Sequence, residues 1–576
     1  MKSTEGGKKQ TVLSILFQNK RMNVVFVLST IIVAIAAPFK SYITQWLIDA
    51  GSIQAAMRSL ALGIVIILIS HITEYISRQS FARMSTDGVE AIRSRIMEKQ
   101  SRLSMEEYLS GSTGSVLSGL TNDMRALFDE YYMSIFDILF WGGMLIVATI
   151  MLVSIAPVIA VITLAFSVIP VAVPRLMAKG MAQVRKEYSQ DISAYTSRTS
   201  DLLKGFEALT AAGSMDYFRK AHAQAADSNR QKEHALRHRM NTASVLTSLA
   251  AWIPNMSILL VAVILVFNGR ITIGYLVTAN SLATFVLSPC RMVADRYVKL
   301  KSSQPIKNKL EEMMREEDVD KSGTEELREV ISVRFENVRF TYPGAKSETL
   351  HGVDLALKKG EKLALVGVSG SGKSTIVKLL YRYYQEYQGS VQVNGKEAGA
   401  YTKDSYYQRV AMLPQTPFIF NDTIFNNICL YRQYSEEEVQ RAIRLSGLEE
   451  YVREQPDGLN TVLTENGGNL SGGQAQRMAI ARALVRGCDV LLVDEATSSL
   501  DVVTTEQIMR NLLQLDCSVI VITHDIFGDY MKDFDYIAYL EEGTIREEGS
   551  FEEMLKRDGS FTQLYHLMAS QEKAAD

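Results

Sequence analysis

Between Asp137 and Arg175 the chain runs for 37 residues without an Asp, Glu, Lys or Arg. A helix crosses the hydrocarbon of a bilayer in about 20 residues, so this interval predicts two spans, joined by a tight outer turn near Pro157. Met22 to Phe39 and Ser59 to Thr73 are also free of charge, as are the 30 residues between Arg239 and Arg270 and the interval from Arg270 to Arg291. Six membrane-spanning helices are therefore expected. Buried core helices of a large soluble protein are the alternative, and the length and uniformity of the runs count against it. The second span is the weakest, because His71 and Glu74 sit near its end.

Lys and Arg placement sets the orientation. The segments Arg78 to Arg125 and Arg175 to Arg239 are rich in basic residues, whereas the opposite connections hold only Arg58 and Arg270. Basic loops stay in the cytoplasm, so both termini and both long polar loops are expected there. Those loops read as helices continuing past the membrane, with a short crosspiece at each tip. A charge at the centre of a span costs on the order of 2–3 kcal/mol, so Lys40, Gln45, His71, Asn255 and Asn280 are candidates for an internal, water-accessible cavity. Snorkelling or a hydrogen bond to a neighbouring helix is the competing account of each. His234 and His238 have the i, i+4 spacing of a metal pair, but no third ligand accompanies them and a solvated face is favoured.

At 576 residues the chain exceeds what one hydrophobic core supports. Charges are sparse before about residue 300 and dense after about 310. The predicted division is a helical membrane domain over 1–310, an acidic solvated linker over 311–330, a second domain over 331–570 and a tail over 571–576. A net charge of −3 gives no argument for a nucleic-acid partner. Cys290, Cys429, Cys488 and Cys517 lie far apart with no CxxC pair, which predicts neither a zinc site nor a disulfide framework. No leader with a cleavage site is read ahead of the first apolar run.

After Val330 short apolar runs alternate with helical stretches. LALVGV, VAMLPQ, VLLVDE and VIVITH are such runs, and near-continuous apolar strands separated by helices predict a mostly parallel sheet in an α/β domain. The first run leads into Gly367, Val368, Ser369, Gly370, Ser371, Gly372, Lys373, Ser374 and Thr375, the G-x-x-x-x-G-K-S phosphate-binding loop. Glycines let successive N–H groups curl toward phosphate oxygens, and the following helix adds its positive end. Lys373 is placed to reach the β- and γ-phosphates and Ser374 to ligate Mg²⁺. The run Val490 to Glu495 delivers two carboxylates to a strand end. Asp494 suits Mg²⁺, and Glu495 suits the attacking water.

Leu470-Ser471-Gly472-Gly473-Gln474, followed by Gln476 and Arg477 and set about 20 residues before Glu495, resembles the signature of ATP-binding cassette proteins. Other pieces fall in that family's order. Tyr342 resembles its adenine-stacking aromatic residue, Gln415 its Mg²⁺-contacting glutamine, Ser499-Leu500-Asp501 its dimer-crossing loop, and His524 its γ-phosphate switch histidine. Glu465 resembles the acidic exporter loop. Gly111 to Asp123 and Gly205 to Leu209 resemble the first and second cytoplasmic crosspieces of exporter-type members. No processing-protease module is expected ahead of the spans.

The resemblance implies a half-transporter. Two cassettes close head to tail on two ATP molecules, each ATP lying between one chain's phosphate loop and the other's signature. Expected cofactors are ATP and Mg²⁺, with Glu495 and His524 catalytic. Ser374, Gln415 and Asp494 take the metal, and Tyr342, residues 367–375, Gln415, Ser471 to Gln474 and Asp501 take the nucleotide. The partner is a second half-transporter, with a homodimer favoured and a heterodimer as the alternative. The expected cargo is a small amphipathic or peptide-like solute, moved outward through a bacterial plasma membrane. Siderophore-type uptake and an ATP-gated channel or regulator are the rival readings.

Overall fold

The computed structural model describes residues 11–315, 323–464, 467–495 and 500–575. The chain forms two compact units. One comprises Met1–Lys99 and Thr113–Glu316, the other Gln100–Ser112 and Glu317–Asp576.

The first unit is helical. Asn19 caps the helix Lys20–Phe39 by accepting a hydrogen bond from the Met22 amide, and after Pro38 the chain resumes as Ser41–Ile48. Among the described residues, five helical segments are long and apolar enough to cross a membrane: Lys20–Ile48, Ile53–Arg102, Thr113–Ile155, Met215–Phe267 and Ile273–Ser302. The expected fourth span is divided. The helix Pro157–Phe166 stops at Ser167, and a new helix runs over Val168–Lys204. Pro170 supplies the reason, since it has no N–H to bond the Phe166 carbonyl four residues back. The six-span count thus becomes five long helices and one short apolar helix among the described residues.

Lipid gives little hydrophobic drive between helices, so close packing and small residues matter. One buried cluster stacks Phe26, Phe81, Phe136 and Phe140, with the Phe81 and Phe136 rings 4.9 Å apart. The other is built on Ala148, Ala160, Ala262, Ala279 and Ala283. Gln45, a candidate cavity residue, is instead buried and accepts a 3.3 Å hydrogen bond from the Thr278 hydroxyl. His71 is exposed beside Glu74 at 3.6 Å. His234 and His238 are exposed, and no metal-binding group is found among the described residues.

The polar loops do end in short helices. The second, Phe206–Ala211, overlaps the crosspiece expected over Gly205 to Leu209 and is capped by Gly205. The first is Met105–Ser110, opened by a capping box between Ser104 and Glu107 and closed at Gly111. Of Gly111 to Asp123, expected to be that crosspiece, Gly111 only closes this short helix, and from Thr113 on the segment forms the start of the next long helix, with a π-turn at Gly119–Asp123. The stretch 311–330 is not solvated throughout. Glu311 accepts the Val12 amide at 2.9 Å, and Leu327 and Val330 are buried in the second unit. Residues 316–322, Glu465 and Ser499 lie outside the described residues.

Among the described residues the second unit holds ten strands. They are β1 (Ser332–Phe340), β2 (Leu350–Lys358), β3 (Lys362–Val366), β4 (Gln388–Val393), β5 (Lys396–Glu397), β6 (Val410–Leu413), β7 (Val490–Asp494), β8 (Ser518–Ile522), β9 (Tyr536–Glu541) and β10 (Thr544–Gly549). The larger sheet has the order β10-β9-β3-β8-β7-β6, parallel except for the β9–β10 pair. The four runs read as strands are its adjacent members β3, β8, β7 and β6. Every residue of β3, β7 and β8 is buried, as a sheet covered on both faces requires. A second, antiparallel sheet has the order β2-β1-β4-β5. Its strands alternate in burial, the pattern of a sheet packed on one face only.

Candidate nucleotide site

The parallel strands all point their C-terminal ends at one edge, and there the site forms. From β3 the chain turns through the phosphate loop into the helix Lys373–Leu380. Gly367 has φ +153°, and a Cβ there would lie 2.1 Å from the Leu540 carbonyl oxygen. Gly372, at φ +104°, opens the helix in the left-handed region. The loop is braced from the far end of the sequence, because the Gly543 amide donates to the Ser371 carbonyl at 3.1 Å. No local signal in the sequence marks that brace.

Lys373 is buried and donates to the Gly367 and Val368 carbonyls at 2.8 and 3.0 Å. Burial holds its amine below the ordinary lysine range, against the pull of Glu495 and Asp494. Ser374 donates to Asp494 Oδ1 at 3.0 Å. Burial pushes the Asp494 carboxyl above its ordinary range, opposed by that hydrogen bond and by Lys378 and Lys373. Two desolvated groups of opposite charge thus face the same point, an arrangement that a phosphate and a cation would stabilise.

Glu495 follows Asp494 with φ +50°, a strained setting for a non-glycine residue. The turn aims its carboxylate between two side chains. Gln415 Nε2 donates to Oε2 at 2.8 Å and His524 Nε2 lies 2.8 Å from Oε1. Gln415 follows β6 and His524 follows β8, the strands flanking β7. Adjacent parallel strands thereby bring together residues 415, 495 and 524.

Tyr342 is half-buried, packed edge-on to Phe340 and Tyr384 at 5.0 and 5.4 Å. Its hydroxyl lies 2.9 Å from Thr375 Oγ1, a link to the phosphate-loop helix that the sequence did not reveal. Ser471 caps the helix Gly472–Arg486 in a reciprocal capping box with Gln474. Asp501 caps Val502–Leu513 through the Thr504 amide at 2.9 Å. The Ser471, Gln474 and Asp501 side chains are thus engaged at their own helix starts, apart from the Lys373–Asp494–Glu495 group.

Fold and site define the class: a P-loop ATPase cassette carried on the same chain as a set of membrane-spanning helices. Residues 22–290 match the family model described as ABC transporter transmembrane region, and residues 350–498 match the one described as ABC transporter. The chain belongs to the ABC transporter family, as an exporter-type half-transporter whose ATPase is coupled to transport. Among similar proteins, the transport/processing ATP-binding protein ComA of Streptococcus pneumoniae R6 is 26% identical over 96% of this chain and 78% of its own length. The ATP-dependent lipid A-core flippase of Escherichia coli K12 is 28% identical over 88% of both chains. The solved structure of a bacterial Atm1-family ABC exporter with ATP bound has the same fold, with a TM-score of 0.79 at 24% identity over 96% of this chain and 98% of that one.

Proposed function

We propose that two copies of this chain hydrolyse two ATP molecules at shared sites and move a small amphipathic solute outward through a bacterial plasma membrane. The observation that carries the chemistry is the Glu495 carboxylate, held between Gln415 and His524 next to Ser374 and Asp494. Glu495 accepts the proton of the attacking water, and His524 holds that carboxylate in place. Lys373, now bonded to loop carbonyls, turns to the phosphate oxygens. Tyr342 offers its ring face to the adenine.

Mg²⁺ fits the donor set. Ser374 and Asp494 present hard oxygens 3.0 Å apart, and Gln415 adds an amide oxygen. Magnesium is held by one or two carboxylates plus substrate phosphates and waters, so no closed protein cage is needed. The ion would supply neutralisation of charge developing on the phosphates.

The make-up of the site supports a second copy. Ser471 starts a helix whose free amides suit a phosphate, yet its chain-mate Lys373 serves the other side of the nucleotide. An intact Glu495, His524 and signature favour two working sites, hence a homodimer, with a heterodimer as the alternative partner. The amphipathic cargo is supported by relatives named as a lipid A-core flippase and a transport/processing protein. The basic segments 78–125 and 175–239 support cytoplasmic termini and cassettes.

The test is Glu495→Gln. ATP binding should persist while turnover falls by a factor on the order of 10² or more, as for a lost general base. Near-normal hydrolysis would overturn the assignment.

A further inference from the structure

The second unit has a polar cleft of about 320 Å³, away from the nucleotide site. Gln408, Arg409, Arg432, Gln433, Tyr434 and Arg486 line it. Arg409 ends the helix that enters β6, and Arg486 ends the signature helix that leads to β7. The cleft therefore lies at the N-terminal ends of these strands, while Gln415, Asp494 and Glu495 lie at their C-terminal ends. The five residues of β7 separate the two places by about 16 Å.

Its charge is not balanced. Three guanidinium groups line it, and Asp489 is the carboxylate paired with one of them, 3.8 Å from Arg409. Asp489 is itself shared, since its other oxygen accepts the Val330 amide at 2.9 Å. Glu329 also feels Arg409 but is bonded to Lys359. Arg486 meets the neutral Tyr381 hydroxyl. Among the described residues neither Arg432 nor Arg486 has a carboxylate partner, and the Nε atoms of Arg409 and Arg486 are buried without an acceptor. Charged donors desolvated in this way are costly unless an anion completes them.

We propose that this cleft binds a small, soluble phosphate-bearing anion of pyrophosphate or mononucleotide size. Arginine forks suit tetrahedral oxyanions through paired N–H donors. The Gln408 and Gln433 amides and the Tyr434 hydroxyl add further donors. The volume lies at the small end of the ligand-pocket range of about 300–1,000 Å³. Occupancy would also join two parts of the cassette. Tyr434 packs on the helical cluster around Ile424, Ile428 and Met478, whereas Arg409 stands at the edge of the parallel sheet.

The experiment uses the full-length chain in nanodiscs of zwitterionic lipid, with Lys373→Ala present to weaken the phosphate loop. Pyrophosphate binding is measured by calorimetry, and hydrogen exchange is followed over 430–434 and 486–489. One site per chain is expected, weakened at least tenfold by Arg432→Ala and by Arg409→Gln, with slower exchange in both segments. In a chain with Lys373 intact, Arg432→Ala should leave basal ATPase unchanged, which shows the fold is kept. Absent binding, or binding indifferent to Arg432→Ala, would overturn the proposal. Discs containing phosphatidylglycerol should leave the affinity unchanged. Displacement by that lipid would overturn the soluble-ligand assignment.

Discussion

Asp494 is buried, and ionising it there costs free energy. Its raised carboxyl pKa means that the folded chain holds the proton more tightly than the unfolded chain, so stability falls as pH rises through the window between the two values. Asp494→Asn should keep the Ser374 hydrogen bond, since an amide oxygen also accepts. The variant is therefore expected to melt at the same or a higher temperature at pH 7 while losing Mg²⁺-dependent ATP binding. Calorimetry with and without Mg²⁺-ATP reads both, and a large drop in apo Tm would contradict the argument. Tyr342 joins two roles that substitution can separate. A base–aromatic stack contributes about 1–3 kcal/mol, so Tyr342→Ala should weaken ATP binding by about tenfold or more. Tyr342→Phe keeps the ring and loses the Thr375 bond, a loss of about 1 kcal/mol. Equal losses in the two variants would assign the effect to the hydroxyl.

Among the elements, the third and last long helices of the membrane unit share an ion pair. Arg296 Nε lies 2.7 Å from Asp137 Oδ2, and the Asp137 side chain is 8% exposed. Breaking such a pair strands a charge, at about 3–5 kcal/mol. Arg296→Ala should lower the detergent-solubilised Tm, and adding Asp137→Asn should restore much of it; no recovery in the double variant would count against the pairing. The signature helix depends on its N-cap, Ser471. Ser471→Ala removes a cap worth about 1 kcal/mol, and should cut ATPase more than it cuts ATP binding, as measured by turnover against nucleotide titration. A signature that acted only as a structural cap would give a Tm shift with no loss of turnover.

For the whole molecule the question is assembly. Purified alone, the chain should form a two-chain particle with cooperative, Mg²⁺-dependent ATPase. ATP should hold the Glu495→Gln particle closed, seen as a shift in cross-linking between cassettes. A chain that stays monomeric or inert until a different half is co-expressed would rule out the homodimer. Much of this protein was legible in its residues because the decisive signals are local. Charge-free runs, a glycine loop before Lys373 and apolar strands ending in Asp494 and Glu495 each follow from a few neighbours and the solvent they meet. The break at Ser167 needed the geometry of a proline three residues on, and the first crosspiece needed the Ser104–Glu107 capping box rather than the glycines after it. Pairings across the sheet were out of reach. The register of β7 on β8 pairs Val490 with Ser518 and so brings Cys488 near Cys517, although the two are distant in sequence. The Gln415–Glu495–His524 clamp, the Gly543 brace and the arginine cleft arise in the same way. Hydrophobic pattern and backbone chemistry determined which elements form; only the strand order and register decided which side chains meet, because those depend on contacts between segments that share no local signal.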